Sequence, residues 1–311
     1  MPPPAFPLPP PAHDLPLPPP LPGAGGIRLL PGVPYAAGPG IRPLELDLYL
    51  PPEGKAPVPV VVFLHGGGWR LGSRHAAGPA YRGASPSPFE RVAQAGIAVA
   101  SVDYRLSGEA TFPAQLHDGK AAVRWLRARA AEIGIDPERI AAWGESAGGH
   151  LAELLGLTGD DAALEGDVGI VGPSSRVAAV VAWYAPSDLS GFAADASTDP
   201  MDPSTREAEL LGAPVPSVPE LAAQASPLSH VSGDAPPFLL LHGEADRFIP
   251  FVQSVRLHTA LVEAGAEAEI ALYEDADHMW LGSPEAAQQA LDRTTDFLRR
   301  HLAARPTKDQ T

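Results

Sequence analysis

Between Ala141 and His150 the chain reads Ala-Ala-Trp-Gly-Glu-Ser-Ala-Gly-Gly-His, and no other stretch restricts the fold as strongly. It contains Gly-x-Ser-x-Gly at 144–148. That spacing suits a tight strand-to-helix turn with the serine hydroxyl held out above a sheet edge. Gly144 and Gly148 flank the serine, where side chains would crowd a strained turn. Read alone, the string also fits an ordinary glycine-rich helix start, so its surroundings decide. Arg139 to Trp143 reads as a short strand, and Ser146 to Leu157 is apolar enough for a buried helix. The predicted order is strand, turn, helix, with Ser146 on the turn.

The rest of the chain supplies the sheet. From Leu44 to Leu50 apolar and polar residues alternate, the pattern of a half-buried antiparallel strand near a sheet edge. Val58–Leu64, Ile97–Val102, Val177–Trp183, Phe238–Leu241 and Glu269–Tyr273 read as buried strands. Between them lie helix patterns: Ser87-Pro88-Phe89-Glu90 opens one with a serine cap, an early proline and a glutamate three residues on. Pro113 opens a long amphipathic helix to about Ile133, Pro250 one to about Ala264, and Ser283-Pro284-Glu285 a last one to about Leu302. Strands alternating with helices predict an α/β fold, a mostly parallel, doubly wound sheet flanked by helices. Ligands of such sheets sit at the carboxyl ends of the strands.

Residues 1–26 are mostly proline, which lacks the amide donor that helices and ladders use, and are expected to form a disordered tail. A ligand for a proline-binding domain is the alternative. The main domain is expected over 27–303. Its segment 189–235 is rich in proline and has no strand pattern, which suggests a cap inserted at the catalytic end. Residues 304–311 are expected to be a loose tail.

The formal net charge of -15 argues against nucleic acid and an anionic membrane surface as partners. The absence of cysteine excludes thiol catalysis, disulfides and thiolate metal sites. There is no apolar run long enough to span a bilayer and no signal-peptide pattern at the N-terminus, so a cytoplasmic location without membrane insertion is expected. No metal and no cofactor are expected.

A serine hydroxyl needs a base, and the base an orienting carboxylate. Of ten histidines, His278 follows the last strand and precedes a helix, which suits the base. His65 is better placed to brace a glycine loop, and His150 lies within the helix after the elbow. Asp246 follows the strand Phe238–Leu241 and is the expected acid. Asp188 is its main rival, and Asp277 is next to His278 in sequence. The tetrahedral oxyanion also needs donors. The Ala147 amide is one, and the loop Gly66-Gly67-Gly68 supplies the rest, with Gly66 and Gly67 favoured. Trp69, Glu145, Trp183, Tyr184 and Trp280 fall near the expected site and are candidate substrate contacts, with ordinary packing as the alternative. Asp103 and Arg105 read as structural charges.

The pieces HGGGW at 65–69, VDYRL at 102–106, FPAQLHDGKAAVRWLR at 112–127, GESAGGHLA at 144–152, HGEAD at 242–246 and DADHMW at 275–280 resemble, in content and order, the α/β-hydrolase esterases of the hormone-sensitive-lipase-like and bacterial carbohydrate-esterase (BD-FAE-like) group. The resemblance covers about 28–300. It implies the α/β-hydrolase fold and metal-free ester hydrolysis through an acyl-enzyme, carried by Ser146, Asp246 and His278. Glu145 stands where many lipase-like relatives have aspartate, and a proline-rich tail where several have cap helices. Both departures lean towards the carbohydrate-esterase-like branch. The activity expected is that of a serine carboxylesterase on small soluble esters: acetylated sugars, aryl esters or short acyl esters. An arylformamidase-like amide hydrolase and a non-catalytic ligand-binding homologue are the alternatives. The expected partner is a small-molecule ester, and a homodimer is left open.

Overall fold

The computed structural model describes residues 10–38, 40–54, 57–75, 77–159 and 161–304. Nine strands among them form one sheet: β1 (Leu21–Pro22), β2 (Arg28–Gly38), β3 (Ile41–Leu50), β4 (Val58–Leu64), β5 (Ala98–Val102), β6 (Ile135–Glu145), β7 (Val180–Trp183), β8 (Phe238–Gly243) and β9 (Ala268–Tyr273). Their order is β1-β2-β3-β5-β4-β6-β7-β8-β9. The pairs β1–β2, β2–β3 and β3–β5 are antiparallel and all the others parallel. Strand β4 lies between β5 and β6, and its residues Val60 to Leu64 are wholly buried. Burial on both faces explains why this strand reads as a continuous apolar run, while the outer β3 alternates.

The helices are α1 (Pro88–Gln94), α2 (Ala114–Ala128), α3 (Ala130–Ile133), α4 (Ala147–Leu157), α5 (Leu189–Ala196), α6 (Arg206–Leu211), α7 (Pro219–Gln224), α8 (Val252–Glu263) and α9 (Pro284–His301). They cover both faces of the sheet. Val60, Val62 and Leu64 pack with Leu116 and Val123 of α2, Leu151 and Leu155 of α4, and Leu257 of α8. Val61, Phe63, Trp143 and Trp183 point the other way, against Phe89 of α1 and Leu291 and Phe297 of α9. The cap expected for α1 is present in both halves: Glu90 N donates to Ser87 Oγ at 3.2 Å, and Ser87 N donates to Glu90 Oε2 at 2.7 Å. The single helix expected from Pro113 to Ile133 is two, broken at Arg129 (φ -97°, ψ 9°).

Two further features depart from the sequence reading. Strand β2 has no alternating signal, because Pro31, Gly32 and Pro34 interrupt it. The register shifts at Leu30/Val33, Pro34/Ala36 and Ala36/Gly38 absorb these residues. Beyond β2, strand β1 pairs only with Arg28 and Leu29, so the prolines lie where that side is unpaired. The described part of the proline-rich stretch, residues 10–26, is not a disordered tail. Trp125 Nε1 donates to the His13 carbonyl at 3.0 Å, and Arg129 reaches the carbonyls of His13 and Leu15 at 3.0 and 3.1 Å. His13 is buried. Prolines remove donors from a segment but leave its carbonyls, and here α2 and its cap supply the donors. Residues 1–9 and 305–311, where the rest of the two expected tails falls, lie outside the described residues.

The 189–235 segment contributes α5, α6 and α7 between β7 and β8. Asp188 caps α5 by accepting from Gly191 N at 3.0 Å, and Thr205 caps α6 by accepting from Ala208 N at 3.2 Å. No helix among the described residues is long and apolar enough to cross a membrane.

Glu153 on α4 is fully buried, neither of its carboxyl oxygens has a hydrogen-bond partner among the described residues, and burial pushes its carboxyl well above the usual range. Such a group is protonated in the folded chain while its unfolded counterpart ionises. Its contribution to stability is therefore complete below the unfolded pKa and is lost as pH rises toward the folded value. Glu153→Gln is expected to match the parent protein near pH 4 and to exceed it increasingly toward pH 8, by roughly 1–3 kcal/mol. Urea denaturation at several pH values checks this; a difference independent of pH would contradict it.

Candidate active site

Ser146 sits between β6 and α4 with φ 53° and ψ -121°. A non-glycine residue in that region carries strain of about 1–3 kcal/mol and needs its neighbours to hold it. Its own amide donates to the Trp183 carbonyl at 2.8 Å, and its carbonyl accepts from His150 N at 3.0 Å. The turn is possible because Gly148 has no side chain. A Cβ there would lie 2.0 Å from the Leu64 carbonyl oxygen at the end of β4.

The ends of β8 and β9 bring two more side chains to this edge. His278 Nε2 lies 3.0 Å from Ser146 Oγ, and His278 Nδ1 lies 2.7 Å from Asp246 Oδ2. The carboxylate fixes the proton on Nδ1 and leaves Nε2 as an acceptor for the serine hydroxyl. Asp246 Oδ1 accepts from the amides of Phe248 and Ile249, both at 2.8 Å. The structure also adds His242 to this group. His242 Nε2 lies 3.3 Å from Asp246 Oδ2 and 2.9 Å from the Ile249 carbonyl, while its Nδ1 lies 2.7 Å from Ser254 Oγ. Two oxygen acceptors around Nε2 place its proton there. Burial would push the Asp246 carboxyl up, but the bonds and charges of His242 and His278 overcome this and hold it well below the usual range. The signal was His242 itself, four residues before the acid at a strand end. The rivals are occupied elsewhere: Asp188 caps α5 and pairs with Arg256, and Asp277 pairs with Arg247.

The glycine loop after β4 is braced as expected. His65 Nδ1 lies 2.7 Å from the Gly66 carbonyl, and its ring stacks on Tyr104, with ring centroids 4.3 Å apart. Gly67 has φ 121°, and a Cβ on it would lie 2.0 Å from the Leu71 carbonyl oxygen. The expected use of the Gly66 amide is corrected. It donates to Glu145 Oε1 at 3.3 Å, beside the Gly78 amide at 3.0 Å. Among the described residues the amides of Gly67, Gly68 and Ala147 have no protein acceptor. Glu145 Oε2 accepts from Tyr184 OH at 2.8 Å. Burial raises the Glu145 carboxyl, against the hydrogen bonds from Tyr184, Gly66 and Gly78. Glu145 thus lines the site but spends its oxygens on holding the loop.

Two cavities open on Ser146. The larger, about 730 Å³, is walled mostly by residues 66–89, with Glu145, Arg206, Phe248, His278 and Met279 among the others that border it. The smaller, about 260 Å³, lies toward the cap segment, against Trp69, Ala147, Phe192 and residues 204–207. Of the aromatic residues expected at the site, only Trp69 borders a cavity. Trp183 and Trp280 are buried in an aromatic cluster, with Trp183 Nε1 donating to Thr294 Oγ1 at 2.9 Å. Tyr184 is buried between His278 and Trp280, with ring centroids 4.8 Å from each. These three support the site from below. Among the described residues no group of three or more His, Asp or Glu side chains is arranged to hold a metal ion.

The chain belongs to the BD-FAE family, whose model matches residues 46–261. It is 34% identical over 272 residues to Esterase LipQ of Mycobacterium tuberculosis; the match takes in 86% of this chain and 61% of LipQ, so the chain spans about 60% of that curated relative's length. Among solved structures, a truncated carbohydrate esterase from gut microbiota is similar with a TM-score of 0.77 and 31% identity, covering 91% of this chain and 99% of that one. The propionate-bound esterase Est2 of Thermogutta terrifontis has a TM-score of 0.71 and 29% identity, covering 90% and 97%. The fold is the α/β-hydrolase fold, as the motifs imply.

The depressed Asp246 carboxyl gives a stability test. Its contribution is present above the ordinary carboxylate pKa of about 4 and is lost as pH falls toward the folded value. Asp246→Asn is expected to cost roughly 1–3 kcal/mol at pH 7. The cost should shrink on acidification below pH about 4. Denaturation of both proteins across that range checks it; an equal cost at low pH would contradict the assignment.

Proposed function

We propose that this BD-FAE family member is a serine carboxylesterase that hydrolyses small or short-chain carboxylic esters through an acyl-enzyme on Ser146. The observation that carries the reading is the line Ser146 Oγ, His278 Nε2, His278 Nδ1, Asp246 Oδ2, with successive contacts of 3.0 and 2.7 Å, set beside three unspent amides. In this reading Ser146 Oγ attacks the ester carbonyl while His278 takes its proton. The amides of Gly67, Gly68 and Ala147 receive the oxyanion. Collapse of the tetrahedral intermediate breaks the bond to the alcohol, which leaves with the proton from His278. Water then repeats the cycle on the acyl-enzyme: His278 takes a proton from the water, its hydroxide adds to the acyl carbon, and the acid leaves as Ser146 regains its proton. Asp246 holds the ring in place throughout and stabilises the imidazolium each time it forms.

The substrates of this reading are acetylated sugars, aryl esters and short acyl esters, for which a cleft of about 730 Å³ has room. The likeness to a carbohydrate esterase and to a propionate-bound esterase supports the same range. An arylformamidase-like activity would use the same groups on an amide, and a formyl-kynurenine assay separates the two.

Ser146→Ala is expected to abolish turnover of 4-nitrophenyl acetate and leave the fold intact by circular dichroism. Asp246→Asn is expected to lower kcat by roughly 10⁴-fold, since the imidazole loses its orienting acceptor. Turnover retained by the Ser146 variant would sink the reading.

A further inference from the structure

The larger cleft carries charge that catalysis does not use. Arg206, at the start of α6, borders both cavities that open on Ser146. Its stem lies over the oxyanion loop: a Cβ on Gly68 would meet Arg206 Cδ at 2.3 Å. Its guanidinium stands 5.9 Å from the centre of the Phe248 ring, in the loop that holds Asp246. Arg82, on the 66–89 wall, borders the larger cleft as well. Among the described residues neither guanidinium has a hydrogen-bonded or ion-paired partner, whereas Arg70, beside Arg206, is paired with Glu209. The other charged groups facing the larger cleft are bonded elsewhere. Glu145 is held by Gly66, Gly78 and Tyr184, and His75 is committed to Asp47. Glu207 borders only the smaller cavity, and it is there that it interacts electrostatically with Arg206.

Both arginines are exposed, so their charges stand solvated and available at the cleft wall of a chain with 37 acidic and 22 basic residues. The overall charge repels anions at long range, so any attraction for them must act locally. A guanidinium offers a planar fork that a carboxylate oxygen pair fits. We propose that Arg206, supported by Arg82, selects esters whose non-reacting part carries a carboxylate or comparable anion within the larger cleft. This rests on the serine-esterase reading, and Arg206 acts on specificity rather than on the reacting atoms.

The test compares kcat/KM for matched esters that differ in charge. 4-Acetoxybenzoate against 4-acetoxybenzamide places the anion on the alcohol side; monoethyl adipate against ethyl hexanoate places it on the acyl side. The parent protein is expected to prefer the anionic member of at least one pair by about tenfold, equivalent to one charge-assisted hydrogen bond. The preference should shrink at high salt, be partly kept by Arg206→Lys, and fall to near parity in Arg206→Gln and the Arg82→Gln/Arg206→Gln double variant. Preference for the neutral member in both pairs, or a preference that survives in the double variant, overturns the proposal. Labelling by a fluorophosphonate probe and turnover of the neutral esters report the nucleophile independently of charge. If these succeed and no anionic preference exists, only the charge selection fails. If both fail, the esterase reading falls and takes the selection with it.

Discussion

The site depends on one close approach, that of the elbow helix to the end of the central strand. Gly148 passes so near the Leu64 carbonyl that a single methyl group would have to occupy the same space. Because α4 starts there, the serine on the turn and the glycine loop leaving β4 meet at one point. Parallel pairing of β4, β6, β7, β8 and β9 then fixes where the other groups arrive, since every one of these strands ends on the same edge. Strain at Ser146 is maintained by this packing and by the bond from its amide to the Trp183 carbonyl on β7.

Buried carboxyl groups around the turn are treated in opposite ways. Asp246 is surrounded by two imidazoles and two amides, and stays charged far below the usual range. Glu145, one residue before Ser146, is raised by burial even though three donors reach it. Its part is mechanical: it ties Gly66 and Gly78 together and so sets the loop whose next amides remain open. Trp183, Tyr184 and Trp280 form the floor under these groups, which explains why aromatic residues cluster in sequence near the site without lining it.

Much of this was legible in the sequence because each part carries its own physical mark. Buried parallel strands are apolar runs, the elbow needs two glycines, and His278 and Asp246 follow strand ends. Strand β2 was not legible, because its prolines and glycines erase the alternation and only register shifts at a mostly unpaired edge make it a strand. Residues 10–26 misled for a related reason: proline content reports missing donors, whereas their docking uses carbonyls that receive bonds from Trp125 and Arg129. Which glycine amide remains free could not be read from the string Gly66-Gly67-Gly68, since it is decided by Glu145, 79 residues further on. The cap segment drew attention as the lid, yet most of the larger cleft is walled by the connection from β4 to α1.

The central claim is that Ser146 is the nucleophile activated by His278. Its most direct measurement is peptide mapping by mass spectrometry after reaction with a fluorophosphonate. The account predicts one equivalent of adduct on the peptide carrying Ser146, and almost none when His278 is replaced by alanine. An adduct on another residue, or equal labelling without the imidazole, would contradict it.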